Sequence, residues 1–182
     1  MTNGIAEFND TYPYPTNVNA TRSLTITRTF QTSRERVWRA ITQPDAMIRW
    51  HGPAFYPAVE INADVQVGGA WRACLKSGNA EDVLLWQSGR YLVVTPPERL
   101  EFTFAWETPD HEDGPGIQTH VCIRLEQLAG EATRMHFRQT GFLSTKSATS
   151  HSAGWNGTFD RLEIFLLDNC LHDACVFGGV DD

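Results

Sequence analysis

Two histidines stand beside tryptophans in an arrangement that could do acid–base chemistry. His51 directly follows Trp50, and His151 lies one helical turn before Trp155. A buried imidazole can orient a ligand hydroxyl or exchange a proton near neutral pH. The competing interpretation is that His151 only supports the start of a helix. Both histidines are therefore candidates, and no residue is assigned a catalytic role.

The residues for other common chemistries are not arranged in their usual patterns. His120 and His136 are expected on the outer, solvent-facing side of a sheet without a third ligand, so no metal site is predicted. The sequence contains no nucleophile elbow, phosphate-binding loop or dinucleotide-binding glycine pattern. No cofactor is predicted.

The aromatic side chains are the more informative set. Trp, Phe and Tyr make up 11% of the chain, which includes six tryptophans. Such residues either fill a large core or line a cavity that suits a lipid-like or aromatic ligand. The predicted ligand-binding residues are Trp50, Phe55, Trp71, Phe102, Phe104, Trp106, Phe137, Trp155, Phe159 and Leu162.

A long C-terminal helix would form one wall of this cavity. Spacings of three and four residues predict a continuous apolar stripe through Trp155, Phe159, Leu162, Leu166 and Cys170. Gly154 and Gly157 interrupt the helical pattern, where a glycine costs about 1 kcal/mol relative to alanine. This cost indicates a close approach by a strand or by a ligand, and packing against protein is the favoured interpretation.

The residues before this helix are typical of strands. Residues 24–30 alternate apolar side chains with threonines, and two short helices follow, the second beginning at Pro44. About six strands come next, of which residues 100–106 alternate most regularly; Leu84 and Trp86 mark an earlier one. Arg28 is expected to pair with Glu60 or Asp160. Short turns between neighbouring strands indicate an antiparallel meander with one covered face.

The predicted architecture is therefore α+β. A curved antiparallel sheet of six to seven strands wraps around the long C-terminal helix, with two short helices after the first strand. The predicted divisions are an extended N-terminal arm at 1–22, a single domain at 23–175 and a C-terminal tail at 176–182.

Composition restricts the partners and the compartment. A formal net charge of −7 argues against nucleic acid, because phosphate binding needs a basic surface. No apolar run approaches the roughly 18 residues of a spanning helix, and no signal peptide is visible. The four cysteines, Cys74, Cys122, Cys170 and Cys175, lack metal or redox spacing and are interpreted as free thiols in a reducing cytoplasm.

Four blocks of the sequence together resemble a known family. They are LTITRTFQTSRERVWRAITQPDAMIRWHGP, VGGAWRACL, GRYLVVTPPERLEFTFAW and HSAGWNGTFDRLEIFL. In this order, over about residues 23–168, they are similar to the AHSA1-like (activator of Hsp90 ATPase homologue-like) branch of the START/Bet v 1-like SRPBCC superfamily. The resemblance implies a helix-grip fold with a cavity between the sheet and the C-terminal helix.

Three functions follow from these observations. The first is binding of a small hydrophobic or aromatic ligand in the cavity, with no established catalytic activity. The resemblance also implies two alternatives, an Hsp90 co-chaperone-like interaction module and a cyclase-like enzyme that uses the pocket histidines. An Hsp90 contact is not favoured, because the 22 residues before the domain show no Hsp90-contacting motif. The N-terminal arm and the outer sheet face are compatible with a homodimer.

Overall fold

The computed structural model describes residues 22–78, 83–107 and 117–176, with side chains as far as residue 168. The elements follow one another as β1 (Ser23–Phe30), α1 (Arg34–Thr42), α2 (Pro44–Trp50), β2 (Ala58–Ala63), β3 (Ala70–Lys76), β4 (Leu84–Thr95), β5 (Arg99–Trp106), β6 (Thr119–Gln127), β7 (Thr133–Thr140) and α3 (Thr145–Val176).

The seven strands form one curved antiparallel sheet. Their order across the sheet is β1-β7-β6-β5-β4-β3-β2, so the strand that comes first in sequence pairs with the last. Irregular register between Ala58 and Glu60 and between Tyr91 and Val93 marks bulges in β2 and β4, which bend a sheet locally. The predicted α+β architecture, with two short helices after strand 1, is confirmed.

The two short helices pack against each other beside the long helix. Pro44 occupies the first turn of α2, where its missing N–H is not needed. The Trp50 indole N–H donates to the carbonyl of Ala40 in α1 at 2.9 Å. This bond uses the polar edge of a ring that is otherwise buried in the core.

The long helix α3 is capped and then held against the sheet. The Ser144 hydroxyl accepts a hydrogen bond from the backbone N–H of Ser147 at 3.0 Å, which caps the first turn. The buried stripe contains Trp155, Phe159, Leu162 and Leu166, as predicted. Arg28 of β1 pairs with Asp160 at 2.9 Å, which decides between the two predicted partners.

Some predicted features lie outside the described residues. These are the N-terminal arm up to residue 21, the tail from residue 177 and the side chains of Cys170 and Cys175. Cys74 and Cys122 are buried free thiols. No helix in the described part of the chain is long and apolar enough to cross a membrane.

Candidate functional site

A cavity of about 270 Å³ lies between α3, the sheet and the segment that joins α2 to β2. Helix α3 contributes Ser150, His151, Gly154, Trp155 and Thr158 to its lining. The α2–β2 segment contributes His51, Gly52, Pro53 and Tyr56, and the sheet contributes Leu75, Leu85, Gln87, Phe104 and Trp106. The lining is mainly apolar with a few polar groups, which is the usual character of a small-molecule site.

A larger groove of about 650 Å³ lies at β2–β5. It is more open than the cavity under α3, and charged side chains such as Asp64, Arg72 and Arg90 lie in its lining. An open groove buries too little of a small molecule to hold it tightly, whereas binding sites enclose most of a ligand. The smaller cavity under α3 is therefore the candidate site.

The structure brings part of the predicted set together. Phe104, Trp106 and Trp155 line the cavity, and both candidate histidines join them. The remaining predicted residues lie outside this lining: Trp50, Trp71, Phe102, Phe137, Phe159 and Leu162 are buried in the core, and Phe55 is 65% exposed. Their ligand-binding roles stay predictions.

His51 is held rigidly at the end of α2. Its backbone N–H donates to the carbonyl of Met47, and its own carbonyl accepts from Ala58 and from the Arg161 guanidinium. Its Nε2 atom lies 2.9 Å from the side-chain amide nitrogen of Gln87. Burial, followed by the positive charge of Arg161, lowers the pKa of His51 from 6.5 to about 4, so the ring is neutral at pH 7.

The segment after His51 depends on glycine and on Arg161. Gly52 has a φ of 83°, and a Cβ there would lie 2.1 Å from the carbonyl oxygen of Tyr56. Arg161 of α3 donates to the carbonyls of Arg49, His51 and Gly52 at 2.8–3.1 Å. One guanidinium therefore fastens this edge of the cavity to α3.

His151 joins α3 to β5. Its Nδ1 atom lies 3.0 Å from the carbonyl oxygen of Ser147, and its Nε2 atom lies 3.0 Å from the indole nitrogen of Trp106. The carbonyl can only accept and the indole can only donate, so the proton of a neutral ring lies on Nδ1. Both nitrogens of His151 are thus used in supporting the wall. A catalytic role for either histidine stays a prediction.

Trp155 is fixed by a chain of buried hydrogen bonds. Its indole N–H donates to Gln139 Oε1 at 2.7 Å, and the Gln139 amide donates to the Thr119 hydroxyl at 2.8 Å. That hydroxyl donates to the carbonyl of Phe104 at 3.1 Å. Because the indole hydrogen is used, Trp155 presents an apolar surface to the cavity.

The two glycines of α3 have different surroundings. A Cβ on Gly157 would lie 3.1 Å from Pro53 Cβ, which is the close packing that the sequence indicated. A Cβ on Gly154 would have no heavy atom within 4 Å. Gly154 lines the cavity, so there the missing side chain leaves open space and the packing interpretation is wrong for this position.

Four polar residues of the lining were not predicted from the sequence: Tyr56, Gln87, Ser150 and Thr158. Of these, Gln87 is 3% exposed and lies opposite Trp106 in the pairing of β4 with β5. A glutamine that follows Leu84, Leu85 and Trp86 in a strand is a usable signal, but its inward position is clear only if the strand's inward face is assigned correctly.

A second polar cluster lies on the outer face of the sheet, away from the cavity. Glu101 is 2% exposed; Arg99 forms an ion pair with it, and His120 Nε2 lies 3.0 Å from its Oε2 atom. Burial raises the pKa of Glu101, but the hydrogen bonds from His120 and Arg99 outweigh that effect and the net shift is downward. No group of three or more His, Cys, Asp or Glu side chains among the described residues could hold a metal ion.

Comparison with known proteins agrees with this fold. The family model for "Activator of Hsp90 ATPase homolog 1-like protein" matches residues 31–166, and no curated protein matches the chain. Protein NE0264 from Nitrosomonas europaea is 21% identical with a TM-score of 0.69, covering 85% of this chain and 99% of its own. The AHSA1 protein SPO3351 from Silicibacter pomeroyi is also 21% identical, with a TM-score of 0.71, covering 81% of this chain and 99% of its own. At these identities, the likeness to the two solved structures shows a shared fold.

Proposed function

The chain belongs to the activator of Hsp90 ATPase homolog 1-like family, and from that premise we propose that it binds a small hydrophobic or aromatic ligand in the cavity under α3. The observation that carries the proposal is a cavity lined by aromatic rings whose own N–H groups are already bonded within the protein. Trp106 donates to His151 and Trp155 donates to Gln139. A ligand therefore meets ring surfaces and displaces water from apolar walls, which favours binding.

The cavity volume limits the size of the ligand. At about 270 Å³ it lies just below the roughly 300–1,000 Å³ of most ligand pockets. It exceeds the roughly 150 Å³ cavity that admits benzene in another protein. A compound of one or two rings, or a short acyl chain, matches this space.

The proposal includes no chemical step. His151 uses both ring nitrogens in the wall, so the cyclase-like alternative would depend on His51. We also propose a cytoplasmic location, on the grounds of the cysteine usage. Neither nucleic acid nor a membrane is a proposed partner, and the homodimer and the Hsp90 contact stay predictions.

A blocked cavity tests the proposal. In Gly154→Leu, the new side chain enters open space inside the cavity, whereas in Ala153→Leu it extends from an exposed position of the same helix. Both variants and the wild type are heated with naphthalene, indole or octanoate, and unfolding is followed by intrinsic tryptophan fluorescence and circular dichroism. A ligand at 100 times its Kd stabilises the native state by about 2.7 kcal/mol, which raises the Tm by several degrees.

We expect at least one compound to raise the Tm of the wild type and of Ala153→Leu, and to have little effect on Gly154→Leu. A flat response of the wild type to all three compounds would overturn the proposal. So would a ligand-induced rise that Gly154→Leu retains in full, because the ligand would then bind elsewhere.

A further inference from the structure

The cavity contains a pair of buried polar side chains with unused hydrogen-bonding atoms. His51 is 6% exposed and Gln87 is 3% exposed, and both line the cavity. The one hydrogen bond between them joins His51 Nε2 to Gln87 Nε2 at 2.9 Å. Within the described part of the chain, no hydrogen bond involves His51 Nδ1 or Gln87 Oε1.

The orientation of the Gln87 amide does not change what the pair offers. If an amide N–H donates to Nε2, the His51 proton lies on Nδ1, which leaves Nδ1–H and the second amide N–H as donors and Oε1 as an acceptor. If the amide is turned over, Nε2–H donates to Oε1, which leaves Nδ1 as an acceptor and both amide N–H groups as donors. Either way, the pair presents at least one donor and at least one acceptor beside apolar walls.

We propose that His51 and Gln87 together are the polar anchor of the cavity and that its ligand is a small aromatic compound carrying a hydroxyl group. This inference rests on the proposed function. A hydroxyl donates one hydrogen bond and accepts another, so it matches the pair whichever way the amide is turned. The aromatic part is argued from the rings of Phe104, Trp106 and Trp155, which line the same cavity.

A carboxylate fits this anchor less well than a hydroxyl. It only accepts hydrogen bonds, so it would face one acceptor of the pair without a proton to share. The cation nearest to His51, Arg161, directs its Nη atoms at three backbone carbonyls. Burial of an anion without a dedicated partner is costly, which disfavours a charged ligand.

The inference is tested with four matched compounds, titrated by calorimetry at pH 7 into the full-length chain. 2-Naphthol donates and accepts, 2-methoxynaphthalene only accepts, naphthalene does neither, and 2-naphthoate is charged. We expect 2-naphthol to bind about tenfold more tightly than naphthalene or 2-methoxynaphthalene, because unpaired buried polar groups penalise ligands that lack the matching group. 2-Naphthoate should bind most weakly.

A variant pair assigns the preference to the anchor. Gln87→Met keeps the approximate length of the side chain and removes its amide, and Gln66→Met makes the same change at an exposed position. We expect Gln87→Met to lose the preference for 2-naphthol over naphthalene and Gln66→Met to retain it.

Equal binding of 2-naphthol and naphthalene to the wild type overturns the anchor and leaves ligand binding by the cavity standing. Tightest binding of 2-naphthoate overturns the hydroxyl specificity. No binding by any of the four compounds overturns both this inference and the proposed function. These comparisons use the wild-type chain, so they hold even if Gln87→Met fails to fold.

Discussion

Gly154 and Gly157 lie three residues apart in α3, and replacing each in turn with alanine should affect stability differently. Both replacements remove the same backbone freedom from the unfolded chain. They differ in what the added methyl group meets. At position 154 it meets open cavity, and at position 157 it meets Pro53.

The two magnitudes follow from this difference. Alanine is preferred over glycine in a helix by about 1 kcal/mol, and nothing within 4 Å of the position-154 Cβ offsets that gain. Gly154→Ala should therefore raise the Tm by about 2–4 °C. At position 157 the Cβ would lie 3.1 Å from Pro53 Cβ, and overpacking of this kind costs about 1–3 kcal/mol. Gly157→Ala should then be neutral or destabilising by up to about 2 kcal/mol.

Urea unfolding, followed by circular dichroism and tryptophan fluorescence, measures both effects. A shared transition midpoint for the two probes and an unchanged m-value would show that native stability is what changes. Ala153→Gly supplies the calibration, since this exposed position should lose about the same 1 kcal/mol that Gly154→Ala gains.

Equal stabilisation by Gly154→Ala and Gly157→Ala would show that the contact with Pro53 does not constrain the helix. A destabilising Gly154→Ala would be the stronger refutation. It would mean that other atoms fill the space next to Gly154 in solution. The cavity would then have no room there for a ligand.

Three further changes test the charged and polar contacts. The pKa of His51 is about 4 in the folded chain and 6.5 when unfolded, so the unfolded state binds more protons between these values. Wild-type stability should therefore fall by about 3 kcal/mol more than that of His51→Gln as pH drops from 7 to 4, and no such difference should develop above pH 6.5. Arg161→Met should cost about 2 kcal/mol and speed hydrogen exchange of the Ala58 amide, which bonds the His51 carbonyl; unchanged exchange would contradict the fastening role. Glu101→Gln, which leaves Arg99 without its buried carboxylate, should cost about 3 kcal/mol in urea unfolding, and a loss below 1 kcal/mol would show that solvent satisfies the cluster.

The sequence predicted the fold where its periodicity was regular. The α3 stripe of Trp155, Phe159, Leu162 and Leu166 lies in the core as expected, because spacings of three and four are fixed by helix geometry. The alternation over residues 100–106 correctly marked β5, since successive side chains of a strand face opposite sides. Such local geometry needs no knowledge of distant residues.

Periodicity alone did not show which side chains of a strand face the cavity. The sequence marked β4 by Leu84 and Trp86, but Leu85 and Gln87 are the residues that line the cavity. Trp86 instead lies under the Arg72 guanidinium, whose Cζ atom is 3.6 Å from the centroid of the Trp86 ring. In β2 the register is irregular between Ala58 and Glu60, and Val59 between them is 48% exposed. A shift of one residue in the pairing register moves every side chain of a strand to the other face of the sheet. The amino-acid pattern of the strand does not indicate such a shift.

The candidate site depended even more on contacts between distant parts of the chain. His51 and Gln87 are 36 residues apart, and the bond between them forms only because α2 ends against the inner face of β4. The sequence could suggest His51 from its aromatic neighbours, but it contained nothing that linked His51 to Gln87. The sequence pointed to Gly154 and Gly157 equally, because a glycine lowers the stability of a helix. Only the structure shows that Gly154 adjoins open space whereas Gly157 adjoins Pro53.

Helix α3 therefore combines two roles along its length, and the roles separate by residue. Phe159 and Leu162 are at most 1% exposed and belong to the core, so shortening them should weaken folding whatever the ligand. Gly154, one turn before Thr158 on the same helix, borders open space and contributes no side chain to that core. Selection for stability alone would favour alanine at position 154, since it costs nothing in packing there. Packing of the fold therefore does not require a glycine at this position, and the space beside it supports the proposal that the cavity binds a ligand.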